Sequence, residues 1–416
     1  VTDTDTDLLT ILRLGSGGDG IAQTPSGPIF VAYTLPGERV TATRTKERAT
    51  LAAIETASPD RVAPICRHFT VCGGCATQHM APTAEQAWKA TLVVTAFSQQ
   101  GIEPPVQPIV TAGPGTRRRA VFAARRTRSG AILGYHEPRT HDIVPLVECP
   151  ILSSEITKRL PALQALVAPL LSRSGEARVT VIACDNGIDV AVTDAKPKLT
   201  HDEKAAIADL ARAAAILRLS LSGETLYEAA TPVIAFGRAK VTPPPGVFLQ
   251  AVPEIEARMT QVILEAVGKS KRTADLFCGL GTFSFPLATG AEVLAVDGDK
   301  SAIDALVAAS RFTQGLKPIT VKVRDLFREP LSAKELEPFD AIVFDPPRAG
   351  ADNQARMIAK SKAKTVVAVS CAPATLARDV KILLEGGYSL ESVTPIDQFV
   401  FTPHVEAIAV LRRPKR

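Results

Sequence analysis

The chain has 416 residues, 46% of them hydrophobic and 22% charged, with a formal net charge of +5 and seven cysteines. Its length exceeds what one small core uses and predicts about two to four domains. The balance of apolar and charged residues excludes a disordered chain, and every apolar stretch is cut short of the about 18 clean positions a membrane helix needs. The opening "VTDTDTDLLT" lacks the basic start and apolar core of a signal peptide. A cytoplasmic location with no membrane partner is expected.

Residues 8–57 read as short strands: "LLTILRL", "GPIFVAYTL", "ERVTATRTK" and "RATLAAIETA". "GSGGDG" and "PGE" supply the turns between them. Strands so short and so closely spaced predict a small barrel of the oligonucleotide-binding kind. "SPDRVAP", Ser58 to Pro64, reads as a linker. The cysteine run "CRHFTVCGGCATQH" follows, placing Cys66, Cys72 and Cys75 together, with Cys149 in "LVECPIL" as a fourth ligand candidate. Disulfides are not expected in a cytosolic chain. Four thiolates suit either a structural zinc or an iron–sulfur cluster, and the spacing alone does not choose. Cys184 and Cys278 have no such partners and read as packing residues.

Between Arg117 and Arg139 lie Arg117, Arg118, Arg119, Arg125, Arg126, Arg128 and Arg139 against one acid, Glu137. A charge run is usually a solvated face. Here every cation is an arginine, whose forked guanidinium suits phosphate better than an ammonium does, so contact with nucleic acid is expected. The rest of the middle region mixes strands ("AILGYHE", "ARVTVIACD", "GIDVAVTD") with helical pieces ("SSEITKRLPALQALVAPLLSR", "DEKAAIADLARAAA") and has no βαβ rhythm. "VTPPPGVF", residues 241–248, marks a second boundary.

From about residue 250 strands and helices alternate: "VPEIEARMTQVILEAVGK", "TADLF", "EVLAVD", "KSAIDALVAASRF", "ITVKVRD", "FDAIVFDPP", "TVVAVSC", "PATLARDVKILLEGG". Such alternation predicts a mostly parallel sheet wrapped by helices. "ADLFCGLGTF" sets Asp275, Gly279 and Gly281 at a strand-to-helix turn, where glycines let a ligand approach the backbone and a helix N-terminus favours a negative group. Asp297 ends the next strand, where a carboxylate accepts ribose hydroxyls. Asp325 closes the third, within reach of an adenine edge. A glycine turn followed by acids at two strand ends fits S-adenosylmethionine better than a dinucleotide.

Asp345-Pro346-Pro347-Arg348 ends the fourth strand of this series, and Cys371 ends the fifth in "SCAPATLARD". A lone cysteine is more often a buried filler. At the carboxyl end of a strand, where open α/β sheets bind ligands, it becomes a substrate-facing candidate. "FVFTPHVEAIAVLRR" then offers His404 and Glu406 before a final strand, His404 reading as structural.

In that order, "DLFCGLGTF", "DPPRAG", "SCAPATLARD" and "PHVE" resemble the S-adenosylmethionine-dependent RNA uracil-C5 methyltransferases. "VFLQAV", with Phe248 and Gln250, resembles the segment that precedes their catalytic domain, and the likeness covers nearly the whole chain. It implies an α/β protein in three parts: a TRAM-like, OB-fold RNA-binding barrel (residues 1–62), a central α+β domain with the cysteines and the arginine-rich surface (63–247), and a Rossmann-like S-adenosylmethionine-dependent catalytic domain (248–416). It implies a Cys371 nucleophile that adds to uracil C6, Glu406 as the base that takes the C5 proton, and Asp345 beside uracil and methyl donor. Gln250, Phe277, Thr282, Asp297 and Asp325 then hold the cofactor with Asp275, Gly279, Gly281 and Asp345. Cys66, Cys72, Cys75 and Cys149 would carry a [4Fe-4S] cluster, with zinc the lesser alternative, to order the fold.

The barrel and the cysteines together imply ribosomal RNA, as in relatives that make 5-methyluridine in 23S rRNA, rather than transfer RNA. A monomer is expected. The competing readings are a tRNA uridine-C5 enzyme, a non-catalytic RNA-binding factor in ribosome assembly, and a redox-sensing iron–sulfur protein. Three departures stand out from the family pattern. Ala372 replaces the Asn after the nucleophile, "QAV" replaces Gln-x-Asn, and "SRFTQG" is an altered form of Asn-Ala-Arg-x-Asn-Gly.

Overall fold

The computed structural model describes residues 6–196 and 198–414. Residues 1–5, which begin the expected barrel segment and the opening "VTDTD", lie outside the described residues. Strands Thr6–Leu14, Gly20–Thr24, Gly27–Val31, Arg39–Thr45 and Arg48–Thr56 close into a barrel. Alternation turns Leu9, Ile11, Val31, Val40 and Ala42 into its core. The strand Gly20–Thr24 is an addition to the expected set; "GIAQT" carries little alternation and is drawn into the barrel by pairing with Gly27–Val31 and Thr6–Leu14.

The segment 58–64 is pinned rather than free. Buried Glu38 accepts from Ser58 N (3.2 Å), Arg61 Nε (2.5 Å) and Arg61 Nη2 (2.9 Å). Burial alone would raise the Glu38 carboxyl, but the Arg61 bond and the backbone donors outweigh it and hold the group below its ordinary value.

The middle of the chain forms a seven-stranded sheet centred on Arg119–Thr127 and Ala177–Cys184, which pair antiparallel. The helix expected over 153–173 is broken into Ser154–Thr157, Leu160–Val167 and a turn at Ala168–Leu170, because Pro161 and Pro169 can only begin a helical segment. The arginine-rich stretch lies largely on the strands Arg119–Thr127 and Gly130–His136. It is not one exposed surface. Arg126, Arg128 and Arg139 are exposed, whereas Arg118 is buried and paired with Glu256 at 2.6 Å.

The C-terminal part is an eight-stranded sheet. Its order is Ile319–Val323, Glu292–Asp297, Arg272–Leu276, Ala341–Phe344, Thr365–Ser370, Glu406–Arg412, Ser389–Asp397, Val110–Thr111. The first five run parallel; Glu406–Arg412 is antiparallel to both its neighbours. Ala341–Phe344 and Thr365–Ser370 are buried along their whole length, and Arg272–Leu276 is buried after its first residue, as the centre of a helix-covered parallel sheet requires. Sequence order reverses between Arg272–Leu276 and Ala341–Phe344, which opens a crevice at their carboxyl ends.

Two elements that precede residue 247 belong in space to this sheet. Val110–Thr111 extends its edge, and helix Pro82–Ser98 buries Val93 and Phe97 in the same core as Leu276 and Leu376. Lys89 of that helix is fully buried; its Nζ donates to Asp397 Oδ1 (2.8 Å) and Phe399 O (3.0 Å) and lies 3.3 Å from Glu85. Glu85 in turn accepts from Thr77 Oγ1 and Phe401 N, each at 2.8 Å. This buried network ties the cysteine-bearing segment and the helix to the loop that leads into Glu406.

Candidate active site

A cavity of about 710 Å³ opens at the sheet's carboxyl edge. Gln250, Phe277, Gly279, Thr282, Asp297, Asp325, Asp345, Cys371 and Glu406 all line it, although they come from segments spread over more than 150 positions of chain. Asp275 and Gly281, expected beside the ligand, stay off the wall. Asp275 is buried behind it, accepting from Ser284 Oγ at 2.5 Å with its other oxygen unpartnered. Gly281 has φ +89°, and a Cβ there would meet Leu306 at 2.8 Å, so this glycine lets helix Lys300–Phe312 close on the turn. The helix expected after the glycine turn is a single turn, Ser284–Leu287.

The turn is set by Asp297, whose Oδ2 accepts from Gly279 N (2.8 Å) and Oδ1 from Asp299 N (2.7 Å). Phe277 just before it adopts φ +61°, a left-handed conformation a non-glycine residue holds only when its surroundings enforce it. Its ring packs 5.4 Å from Phe327, giving the crevice an aromatic side. Five carboxylates (Asp297, Asp299, Asp325, Asp345, Glu406) face this cavity against one cation, Arg348. Acidic groups thus outnumber the single arginine on this wall.

Cys371 sits half-buried at the end of Thr365–Ser370, and Pro373 opens helix Pro373–Glu385 two residues later. Helix residues after the cysteine clamp the neighbouring loop. Thr375 Oγ1 donates to Arg348 O (3.2 Å), Arg378 Nη2 to Ala349 O (3.1 Å), and Asp379 accepts from Ala351 N (2.6 Å). Gly350 lies beneath them with φ +73°; a Cβ there would come within 2.5 Å of Arg378. The Thr-x-x-Arg-Asp run thus fixes where Asp345-Pro346-Pro347-Arg348 sits relative to the thiol.

A hydrogen-bonded chain crosses the floor. Gln250 Nε2 donates to Asp345 Oδ2 at 3.2 Å, and Gln398 Nε2 donates to Gln250 Oε1 and to Glu406 Oε2, both at 2.7 Å. Burial pushes Asp345 up to about 7. Burial, then repulsion from Asp345, pushes Glu406 up to about 8. Burial also raises the Cys371 thiol, helped by Glu406 and Asp345 and opposed by Arg348. Gln398 and Arg348 gave little sign of this in sequence: one is an isolated amide in "DQF", the other a single arginine behind two prolines.

Two of the three departures have local explanations. Val252 packs its side chain in the core, while its backbone N–H and that of Ala251 (2.8 Å) donate to Gln398 Oε1. Ala372 donates its N–H to Ser370 Oγ and accepts at its carbonyl from Thr375 Oγ1, so the hydroxyls of Ser370 and Thr375 hold this turn without a side chain from residue 372. Nothing in the structure accounts for the altered run at Ser310–Gly315. Arg118 supports the same wall from behind, donating from Nε to Gln250 O at 3.1 Å.

Cys66, Cys72, Cys75 and Cys149 line a second cavity, of about 480 Å³, together with Phe399, Val400, Thr402 and His404. Burial raises the Cys72 and Cys149 thiols and pushes Cys75 up to about 12, with further raising by the neighbouring thiols. Among the described residues, no three His, Cys, Asp or Glu side chains stand close enough to share one metal ion. Cys184 and Cys278 are buried in packing, as expected.

The C-terminal sheet, its crevice and the barrel define a methyltransferase fold. The Pyrococcus abyssi tRNA (uracil-54, C5)-methyltransferase, solved in complex with S-adenosyl-L-homocysteine, matches it with a TM-score of 0.76 at 23% identity, over 97% of this chain and 99% of its own. The particular family follows from sequence. The tRNA (uracil-5-)-methyltransferase family profile matches residues 234–414. An RNA methyltransferase of Brucella suis biovar 1 is 47% identical over the full length of both chains. The 23S rRNA (uracil(1939)-C(5))-methyltransferase RlmD of Shewanella woodyi is 32% identical over 97% of this chain and 95% of its own. The chain belongs to the RNA uracil-C5 methyltransferase family and is a methyltransferase. Among the described residues no helix is long and apolar enough to cross a membrane.

Proposed function

We propose that this enzyme methylates C5 of a uridine in ribosomal RNA, in the cytoplasm and as a monomer. The observation that carries the reading is the convergence of Cys371, Glu406 and Asp345 on one acid-lined cavity. S-adenosylmethionine fits that wall because its sulfonium adds positive charge where carboxylates predominate; bound there, it supplies an electrophilic methyl group. Gln250, Phe277, Gly279, Thr282, Asp297 and Asp325 would hold it, with Asp275 and Gly281 shaping the turn from behind.

Uracil C5 is too weak a nucleophile to be methylated unaided. The Cys371 thiolate adds to C6, the C5=C6 pair moves toward C4–O, and C5 becomes the attacking carbon. After C5 is methylated, the Glu406 carboxylate takes the C5 proton, the double bond re-forms, and the C6–S bond breaks to free the thiolate. A carboxyl at about 8 is close to working pH, where a general base is most effective. Asp345, bound to Gln250, would orient the uracil edge or the donor. The target base has to leave its stack to reach this cavity.

The division into a barrel over 1–62, a central part over 63–247 and a catalytic part over 248–416 suits this task, with the barrel and the exposed Arg126, Arg128 and Arg139 gripping RNA. The four cysteines would carry a [4Fe-4S] cluster. What supports the reading is that all four line one cavity, with zinc the lesser alternative. The cluster would order the segment 66–80 and the loop before Glu406. The decisive experiment scans RNA from a deletion strain for lost 5-methyluridine and remethylates it with purified enzyme. Loss from 23S rRNA supports the reading, loss from tRNA alone moves the substrate, and unchanged RNA overturns it.

A further inference from the structure

Gln398 lies outside both cavities yet touches what each reacting side of the site depends on. It is 2% exposed, at the point where strand Ser389–Asp397 ends and the loop to Glu406 begins. Its Oε1 accepts from Ala251 N (2.8 Å) and Val252 N (3.3 Å), which locks the amide in one orientation. With the oxygen engaged there, Nε2 is turned to donate to Gln250 Oε1 and Glu406 Oε2 at 2.7 Å each. A buried carboxyl that accepts such a bond has one oxygen fixed and the other left for a reacting proton.

We propose that Gln398 is the positioning residue of the site: it fixes the rotamer of Glu406 and, through Gln250, the side chain of Asp345. The proposal rests on the reading of Glu406 as the base. The amide also favours the charged form of Glu406, because a hydrogen bond donated to a carboxylate stabilises it. This opposes the effects of burial and of Asp345 and Asp397, which all raise that group. Asp397 is itself paired with Lys89, and the Cys371 thiol faces Glu406 from the neighbouring strand end. Removing the donor therefore moves Glu406 further up, and the pH at which the base becomes available moves with it.

Two variants separate positioning from folding. Gln398→Met keeps the volume and loses every polar contact. Gln398→Glu keeps an acceptor for Ala251 and Val252, so the loop stays anchored, but sets an ionisable carboxyl against Glu406 where the amide N–H donated. Single-turnover methylation of RNA would be followed against pH, alongside trapping of the covalent complex on 5-fluorouridine RNA and a melting curve. Both variants are expected to shift the acid limb of the rate profile upward by about one unit or more. Both should slow turnover by about tenfold or more at neutral pH, with adduct formation retained. An unmoved acid limb in a folded Gln398→Glu enzyme overturns the proposal. Glu406→Gln tests the underlying reading separately: full turnover in that variant removes Glu406 as the base, whatever Gln398 does.

Discussion

The two cavities of this enzyme share a wall and are built on opposite principles. The loop between strands Ser389–Asp397 and Glu406–Arg412 gives Phe399, Val400, Thr402 and His404 to the cysteine side, and leads into Glu406 on the carboxylate side. On the carboxylate side the protein has already placed its groups: Asp345, Gln250, Gln398 and Glu406 hold one another by hydrogen bonds. Among the described residues, the four thiols opposite do not hold one another by hydrogen bonds. Cys72 accepts a single weak one from Gly74 N at 3.4 Å. One cavity is preorganised by its own side chains, which suits chemistry that must be repeated. The other, in the reading proposed above, would be completed by a cluster, which suits a structural role.

Substitutions break this contrast in order of size. Cys371→Ala is expected to lower methyl transfer by about 10,000-fold or more, the scale of losing a nucleophile, and to abolish the adduct with 5-fluorouridine RNA. Iron and sulfide content should be untouched, because the thiol belongs to the other cavity. Cys149→Ser should do the reverse. Anaerobically purified wild-type protein is expected to hold about four iron and four sulfide per chain, and the variant should lose most of both along with thermal stability. Its residual folded fraction should still trap RNA through Cys371.

Lys89→Met cuts the tie between the two sides. It leaves Asp397 and Glu85 buried without their cation, at a cost of about 3–5 kcal/mol read from denaturant unfolding. The last effect is one of pH. Burial raises Asp275 and Asp345 to about 7 and Glu406 to about 8 in the folded chain, above the ordinary carboxyl range. The folded state therefore binds protons more tightly than the unfolded one. That stability is complete below the ordinary carboxyl range and is lost as pH rises through about 7 to 8. The ligand-free enzyme should melt at a lower temperature at pH 8 than at pH 5. A flat profile would mean these acids are already ionised.

Much of this site was legible because its residues end strands. Asp297, Asp345 and Cys371 each follow an apolar run, and a parallel sheet delivers such residues to one rim. Gln398 was not legible. It matters through backbone N–H groups almost 150 positions away, and no local pattern encodes such a contact. Arg118 misled for a similar reason: in sequence it sits among six other arginines, but just ahead of strand Arg119–Thr127 it is turned inward toward Glu256. Helix Pro82–Ser98 was hidden too, since its burial depends on a sheet made from the far end of the chain. The shape of the C-terminal half was read from local rhythm, whereas the joints between its parts were not.

Those joints bear on how the enzyme is made. Lys89 finds Asp397 only after another 308 residues have been added. At about 5–20 residues per second, the interval during synthesis is on the order of 15–60 s. Until then a lysine destined for complete enclosure has no carboxylate to meet, and Val93 and Phe97 have no sheet to cover. The nascent chain must keep this helix waiting in solvent or in the care of a chaperone, and a ribosome that stops early releases a product in which this helix has nowhere to dock.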